Sequence, residues 1–194
     1  MPYYTSVAVT VTKAVVRAII SIRSRDNLRG HMKKILLTKN KYAIVDDSDY
    51  EYLNQWKWCA VGNYAIRWRS KKAGEQEEGK PNIVFMHKVF FGNVDSSLVV
   101  DHINGDTFDN RRSNLRLATR RQNSMNSKKR ENTKFPYKGI VKKQGKRFYV
   151  MIWDGKNNLH VGCYDSEKEA AIAYDSKAKE LFGEFARLNF PENT

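Results

Sequence analysis

VVDHINGDTFDNRRSNLRLATRRQNSMNSKKR, residues Val99 to Arg130, decides the reading of this chain. It divides into a short apolar run ending at Asp101-His102, an Asn104-Gly105 turn, a polar loop, a second β run at NLRLAT, and a stretch from Arg120 that suits a helix. Hydrolysis of a phosphodiester needs a base for water, a cation to stabilise charge on the transferring phosphate, and a group that holds the base in register. This one stretch can supply all three. Asp101 is a hard oxygen ligand at the end of the apolar run. His102 points to the opposite face if both lie on an extended strand, so a bend at the turn or a helix crossing the hairpin has to bring metal and base around one phosphate.

The charge around this stretch points to a polyanionic partner. Of 194 residues, 35 are Lys or Arg and 21 Asp or Glu, a formal net charge of +14. Each Lys or Arg that neutralises a phosphate releases a condensed counterion and gains affinity. Arg111 to Arg130 holds eight basic residues and no acidic one, and Lys134 to Arg147 holds six and none. A merely solvated face alternates its signs, so the pattern favours nucleic acid over a membrane surface. Cys59 and Cys163 form no CxxC pair, which speaks against a zinc knuckle and a disulfide framework and fits a reducing, intracellular compartment. Lys13 and Arg17 interrupt the apolar Val7 to Ile22, so neither a membrane span nor a signal peptide is expected.

Upstream, residues 1–32 read as an N-terminal extension, and Met32 opens a new pattern. Short β-like runs (KKILL, YAIV, WKWCAV, YAIRWR, IVFMH) between Lys33 and Gly92 predict a sheet-rich region. Trp56, Trp58 and Trp68 lie in it, for core packing more than for stacking on bases. Lys71 to Asn82 reads as an exposed loop, and residues 131–136 as a basic linker. From Tyr137 onward the pattern is three strands and a helix. Phe148, Val150 and Ile152 alternate with Arg147, Tyr149, Met151 and Trp153, and Leu159, Val161 and Cys163 alternate with Asn158, His160 and Gly162. Ser166 with Glu169 forms a capping-box signature, after which Ala170, Ala173, Tyr174, Ala178 and Leu181 recur at helical spacing before Gly183. The helix should cover the apolar face of the sheet and leave the face of Arg147, Tyr149, Trp153 and His160 free.

Asp101-His102, with Asn114 twelve residues and Asn123 twenty-one residues after the histidine, resembles the HNH nucleases, in particular the DH…N…N branch of phage and intron homing endonucleases. VDHINGD, DNRRSNLRLAT, RRQN and the upstream TKNKYAIVDDSDYEYLNQWKW and MHK are also family-like, so the likeness covers Lys33 to about Lys129. The resemblance implies an α+β fold with a ββα-metal core at about 97–129, within a nuclease domain spanning 33–130. His102 is then the general base, Asp101 and Asn123 bind one divalent ion, and Asn114 orients the His102 ring. Asn126 is the reserve ligand if the helix is rotated, and His87 either packs the site or anchors its strand. Asn104, Asp106 and Asn110 read as turn residues. Oxygen ligands without thiolates favour Mg²⁺, or Mn²⁺, over Zn²⁺. Arg112, Arg116, Arg120 and Arg121 flank the site as candidate phosphate contacts.

Lys138-Gly139-Ile140, Val161 to Asp165 and, above all, EKEAAIAYDSKAKELFGEFARLNFP resemble the plant ethylene-response-factor (Apetala-type) DNA-binding domain. That likeness gives a second domain over 137–194. It implies a three-stranded sheet laid in the major groove, with Lys143, Arg147, Tyr149, Met151, Trp153 and His160 facing double-stranded DNA. Tyr174, Asn189 and Phe190 look structural. Val141, Met151, Asn158 and His160 stand where the plant pattern has several Arg and Trp, so the plant target does not carry over. The resemblances together imply a DNA endonuclease of a phage or mobile element, in the cytoplasm of a bacterial host, with no membrane or protein partner. A single active site per chain points to nicking. The competing reading is a DNA-binding regulator with a relic nuclease hairpin; a ribonuclease fits the groove-reading sheet less well.

Overall fold

A computed structural model describes residues 32–70, 82–129, 135–142 and 147–191. The extension before Met32, nearly all of the loop after Ser70, residues 131–134 of the linker and Lys143 lie outside the described residues. Within them the chain is a mixed α and β protein of four small sheets and three α-helices. No described helix is long and apolar enough to cross a membrane.

The first sheet is a hairpin of β1 (Met32–Leu36) and β2 (Tyr42–Asp46). Helix α1 (Asp47–Asn54) follows, where the sequence had suggested only strands. Its first turn carries Asp47 and Asp49, whose charges suit the positive end of the helix dipole, and it buries Leu53. Strands β3 (Cys59–Val61), β4 (Tyr64–Trp68) and β5 (Ile83–Phe85) form an antiparallel sheet in sequence order. These elements enclose one core, built on Ile35, Leu37, Val45, Leu53, Trp58 and Met86. Trp58 is buried and its Nε1 donates to Leu53 O at 2.8 Å. Trp56 packs beside it under the Arg67 guanidinium, whereas Trp68 is half exposed. Core packing therefore accounts for two of the three tryptophans.

A second hairpin, β6 (Leu98–His102) and β7 (Leu115–Thr119), leads directly into α2 (Arg120–Met125). A reciprocal capping box starts α2: Gln122 N donates to Thr119 Oγ1, and Thr119 N donates to Gln122 Oε1. The loop between β6 and β7 is stitched to the edge of β2. Ile44 N donates to Phe108 O and Asn110 N donates to Ile44 O, each at 2.8 Å. Arg112 adds a bidentate pair to Asp49 of α1, at 2.7 and 2.8 Å. The upstream sheets thus brace the hairpin rather than stand apart from it.

Strands β8 (Ile140–Lys142), β9 (Phe148–Trp153) and β10 (Asn158–Tyr164) form an antiparallel sheet packed on α3 (Glu167–Phe182). Val150, Ile152, Ala170, Tyr174 and Ala178 make up this second core. Ser166 Oγ caps α3 by accepting from Glu169 N at 3.2 Å. Two expectations of side-chain facing are corrected. Leu181 is exposed, and its neighbour Phe182 packs on the core instead. A register shift between His160 and Gly162 breaks the alternation of β10, so that Cys163 sits opposite Tyr149 on the outer face and Tyr164 turns inward. Gly139 has φ +80°, and a Cβ there would overlap the Tyr174 ring, so both backbone conformation and packing require glycine.

Candidate nuclease site

Asp101 and His102 are the last two residues of β6, and both are buried. Adjacent strand residues face opposite ways, and their surroundings differ accordingly. Asp101 lies across the ladder from Arg116 and accepts from Arg116 Nε at 2.9 Å. Both of its carboxylate oxygens also face Asn126, whose Nδ2 stands 3.0 and 3.1 Å away and 2.9 Å from the backbone oxygen of His102. Asn126 is the residue that ends α2, so the end of the short helix lies against the end of the hairpin.

The His102 ring enters a pocket of rings. Its centroid is 5.1 Å from that of His87 and 6.4 Å from that of Tyr64, while Phe85 closes on His87 at 5.5 Å. Its Nε2 stands 3.4 Å from Asn110 Oδ1. Asn110 Nδ2 donates to Phe108 O at 3.1 Å, which turns the amide so that its oxygen faces the imidazole. An acceptor oxygen at that position favours the tautomer with the proton on Nε2. Burial lowers the His102 pKa below the ordinary histidine value, against the opposing pull of the Asn110 bond and of Asp101, Asp109 and Asp106. His87 is pushed further, to about 3, by burial and then by the nearby His102 and Lys88. Both shifts favour the neutral ring.

Asn114 is buried but does not meet the imidazole. Its Oδ1 accepts from Asn104 N at 2.9 Å, and its Nδ2 donates to Asn104 Oδ1 and Asp109 O at 3.0 and 2.8 Å. It fixes the turn that follows His102. Asp109 completes this network. It accepts Asn104 Nδ2 and both nitrogens of an Arg111 fork; burial works to raise its pKa, but the Arg111 pair prevails and holds the carboxyl below its usual range. Asn104 and Asp106 act as turn residues, Asn104 Oδ1 accepting from Asp106 N and Asp106 Oδ1 from Phe108 N. Asn123 is exposed on α2, one turn before Asn126.

Of the flanking arginines, Arg120 is exposed, Arg112 is paired with Asp49, and Arg116 is drawn in against Asp101. Arg121 is exposed and donates to Asp154 O in the turn between β9 and β10. On the C-terminal sheet Trp153 and His160 are exposed, the Tyr149 ring lies 6.0 Å from that of His160, and Arg147 is half exposed, with Nε 3.0 Å from Asp165. Arg147, Tyr149, Trp153 and His160 thus share the outer face, whereas Lys143 lies outside the described residues. Asn110 and Tyr64 at the histidine were not legible beforehand. Asn110 reaches His102 only because the loop docks on β2, and Tyr64 comes from another sheet; neither contact leaves a periodic trace.

Among the described residues no three His, Cys, Asp or Glu cluster as a cage. One carboxylate with carboxamide side chains on the adjoining helix suits a hard divalent cation, so the residues present fit such an ion.

The model of the HNH endonuclease family matches residues 84–125, the span from β5 through α2. An uncharacterised HNH endonuclease of Acanthamoeba polyphaga mimivirus is 31% identical over 138 residues, which are 69% of this chain and 71% of that protein. The chain belongs to the HNH endonuclease family and is a nuclease. It is also similar to two dehydration-responsive element-binding proteins of Arabidopsis thaliana. Protein 2C is 39% identical over 66 residues and protein 2D 35% identical over 65, about a third of this chain in each case. The matched parts are 19% and 32% of those proteins' own lengths.

Proposed function

We propose that the chain is a divalent-metal-dependent DNA endonuclease of the homing type, nicking one strand, in which the sheet of β8, β9 and β10 grips duplex DNA and the β6–β7–α2 unit cuts it. The observation that carries this reading is His102: a buried imidazole whose pKa burial lowers, with Nε2 facing Asn110 Oδ1, beside a buried carboxylate. In the reaction His102 Nδ1 takes a proton from the attacking water while Asn110 keeps the ring from turning. Asp101 would hold the divalent ion together with a carboxamide of α2, Asn123 by the motif spacing; Asn126, whose Nδ2 donates to Asp101 and to His102 O, would have to turn its amide to offer Oδ1. The ion supplies charge stabilisation at the transferring phosphate and the leaving oxygen. Asn114 acts through the turn, holding the backbone after His102 in place.

The likeness to plant response-element-binding proteins and the exposed face of Arg147, Tyr149, Trp153 and His160 support DNA as the ligand of the C-terminal sheet. Arg120, exposed at the start of α2, is a candidate phosphate contact. The division falls at about residues 33–130 and 137–194, and Mg²⁺ is the expected ion. Supercoiled plasmid incubated with the purified chain should relax to the nicked form with Mg²⁺ or Mn²⁺ and stay intact in EDTA. Cleavage undiminished by EDTA, or digestion of RNA in preference to duplex DNA, would contradict the reading.

A further inference from the structure

We propose that Arg116 is a positioning residue that holds the divalent-ion affinity of the nuclease site low until DNA is bound, and that the C-terminal unit keeps it there. The inference rests on Asp101 being the carboxylate ligand of the ion. Arg116 faces Asp101 directly across the hairpin, with Nε 2.9 Å from Oδ2. Its far end is held as well: Nη1 donates to Glu184 O at 2.7 Å, and the guanidinium lies 4.0 Å from the centroid of the Phe185 ring. The side chain is left only 13% exposed. A buried guanidinium fixed by three partners is not a solvated surface charge that swings aside at no cost.

Glu184 and Phe185 belong to the turn that ends α3, the helix backing the proposed DNA-reading sheet. They are part of a longer seam. Arg187 Nη1 donates to Asn104 O at 2.9 Å, Lys138 Nζ to Met125 O and Ser127 O at 3.0 and 2.7 Å, and Arg121 to Asp154 O. The unit that reads DNA therefore also places a cation against the candidate metal ligand. An ion on Asp101 would sit within a few ångströms of that cation in a poorly screened site, where repulsion weakens binding. A DNA phosphate entering between them adds the negative charge that lets both stay, so ion and DNA bind cooperatively.

The test is Mn²⁺ binding to the full chain without DNA, read by electron paramagnetic resonance, so that no turnover is needed. Arg116→Met should bind Mn²⁺ about tenfold or more tightly than wild type, because a full charge is removed from the ion's surroundings. Arg116→Lys keeps the charge and should stay within about threefold of wild type, and Phe185→Ala, which frees the guanidinium, should shift in the same direction as Arg116→Met by a smaller factor. Near-UV circular dichroism checks the fold; if Arg116→Met unfolds, Phe185→Ala carries the test. Unchanged or weaker Mn²⁺ affinity in a folded Arg116→Met, or in Phe185→Ala standing in for it, overturns the proposal. Asp101→Asn in the Arg116→Met background separates the two claims. If Mn²⁺ binding survives that change, the ion assignment falls and the proposal with it. If binding is lost there while Arg116→Met alone equals wild type, only the role of Arg116 falls.

Discussion

Asn110 and His102 are joined through a single contact, Oδ1 to Nε2 at 3.4 Å, and the amide that makes it is oriented by the backbone of Phe108. Asn110 itself is almost fully buried, with its N–H bonded to Ile44 of β2. The tautomer of the proposed base is therefore set by a loop that a different sheet holds in place. Asn110→Ala should lower kcat about 10- to 100-fold with little change in the KM for DNA, the usual effect of losing a partner that orients a reacting group. Steady-state kinetics on a nicked-site duplex reads the split; a matched rise in KM at constant kcat would assign Asn110 to binding instead.

His87 gives a pH dependence of stability. Its folded pKa of about 3 lies below the ordinary value of 6.5, so the unfolded chain takes up the proton first and acid favours unfolding. The neutral ring's contribution is complete above about pH 6.5 and is lost progressively as pH falls toward 3. At pH 5 the loss is about 2 kcal/mol. Urea titrations at pH 7 and pH 5 should show it in wild type and much less of it in His87→Phe; equal acid sensitivity in both would contradict the assignment.

Arg112 and Arg147 should separate structural from DNA-contacting arginines. Arg112 is bound to Asp49 and lies over the Phe90 ring, whereas Arg147, among the described residues, holds Asp165 and the Cys163 carbonyl at an exposed edge. Arg112→Gln should destabilise the fold by about 1–2 kcal/mol and leave the salt dependence of DNA binding unchanged. Arg147→Gln should leave the melting temperature unchanged and reduce the slope of log K against log salt by about one. Fluorescence anisotropy over a salt series distinguishes the two, and the reverse pattern would exchange their roles.

Gly139→Ala should cost about 2 kcal/mol or more, since it adds a methyl group where the chain has a positive φ and the Tyr174 ring leaves no room. DNA binding should fall with it. Thermal unfolding of the variant checks this, and a melting temperature equal to wild type would show that the β8 edge can move.

Much of the architecture could be read from the sequence because its signals are local. The hairpin and turn after Asp101 lie in one contiguous stretch, and the alternation of β9 and the cap of α3 are likewise set by near neighbours. What escaped depends on distant partners or on a single inserted residue. Helix α1 carries weak apolar periodicity and is held by Arg112, far along the chain. The shift in β10 cannot be seen in an alternation that continues through it on paper. Arg116, read as a phosphate contact from its charge, meets Asp101 because the strand register puts them opposite one another and the turn after α3 closes over them.

The central claim is that His102 and Asp101 perform metal-dependent cleavage of DNA. Supercoiled plasmid with Mg²⁺ and equal amounts of wild type, His102→Ala and Asp101→Ala measures it directly. Nicked circles from wild type alone, with His102→Ala binding DNA like wild type, are the predicted result. Nicking by His102→Ala at the wild-type rate, or binding by all three without any cleavage, would contradict it.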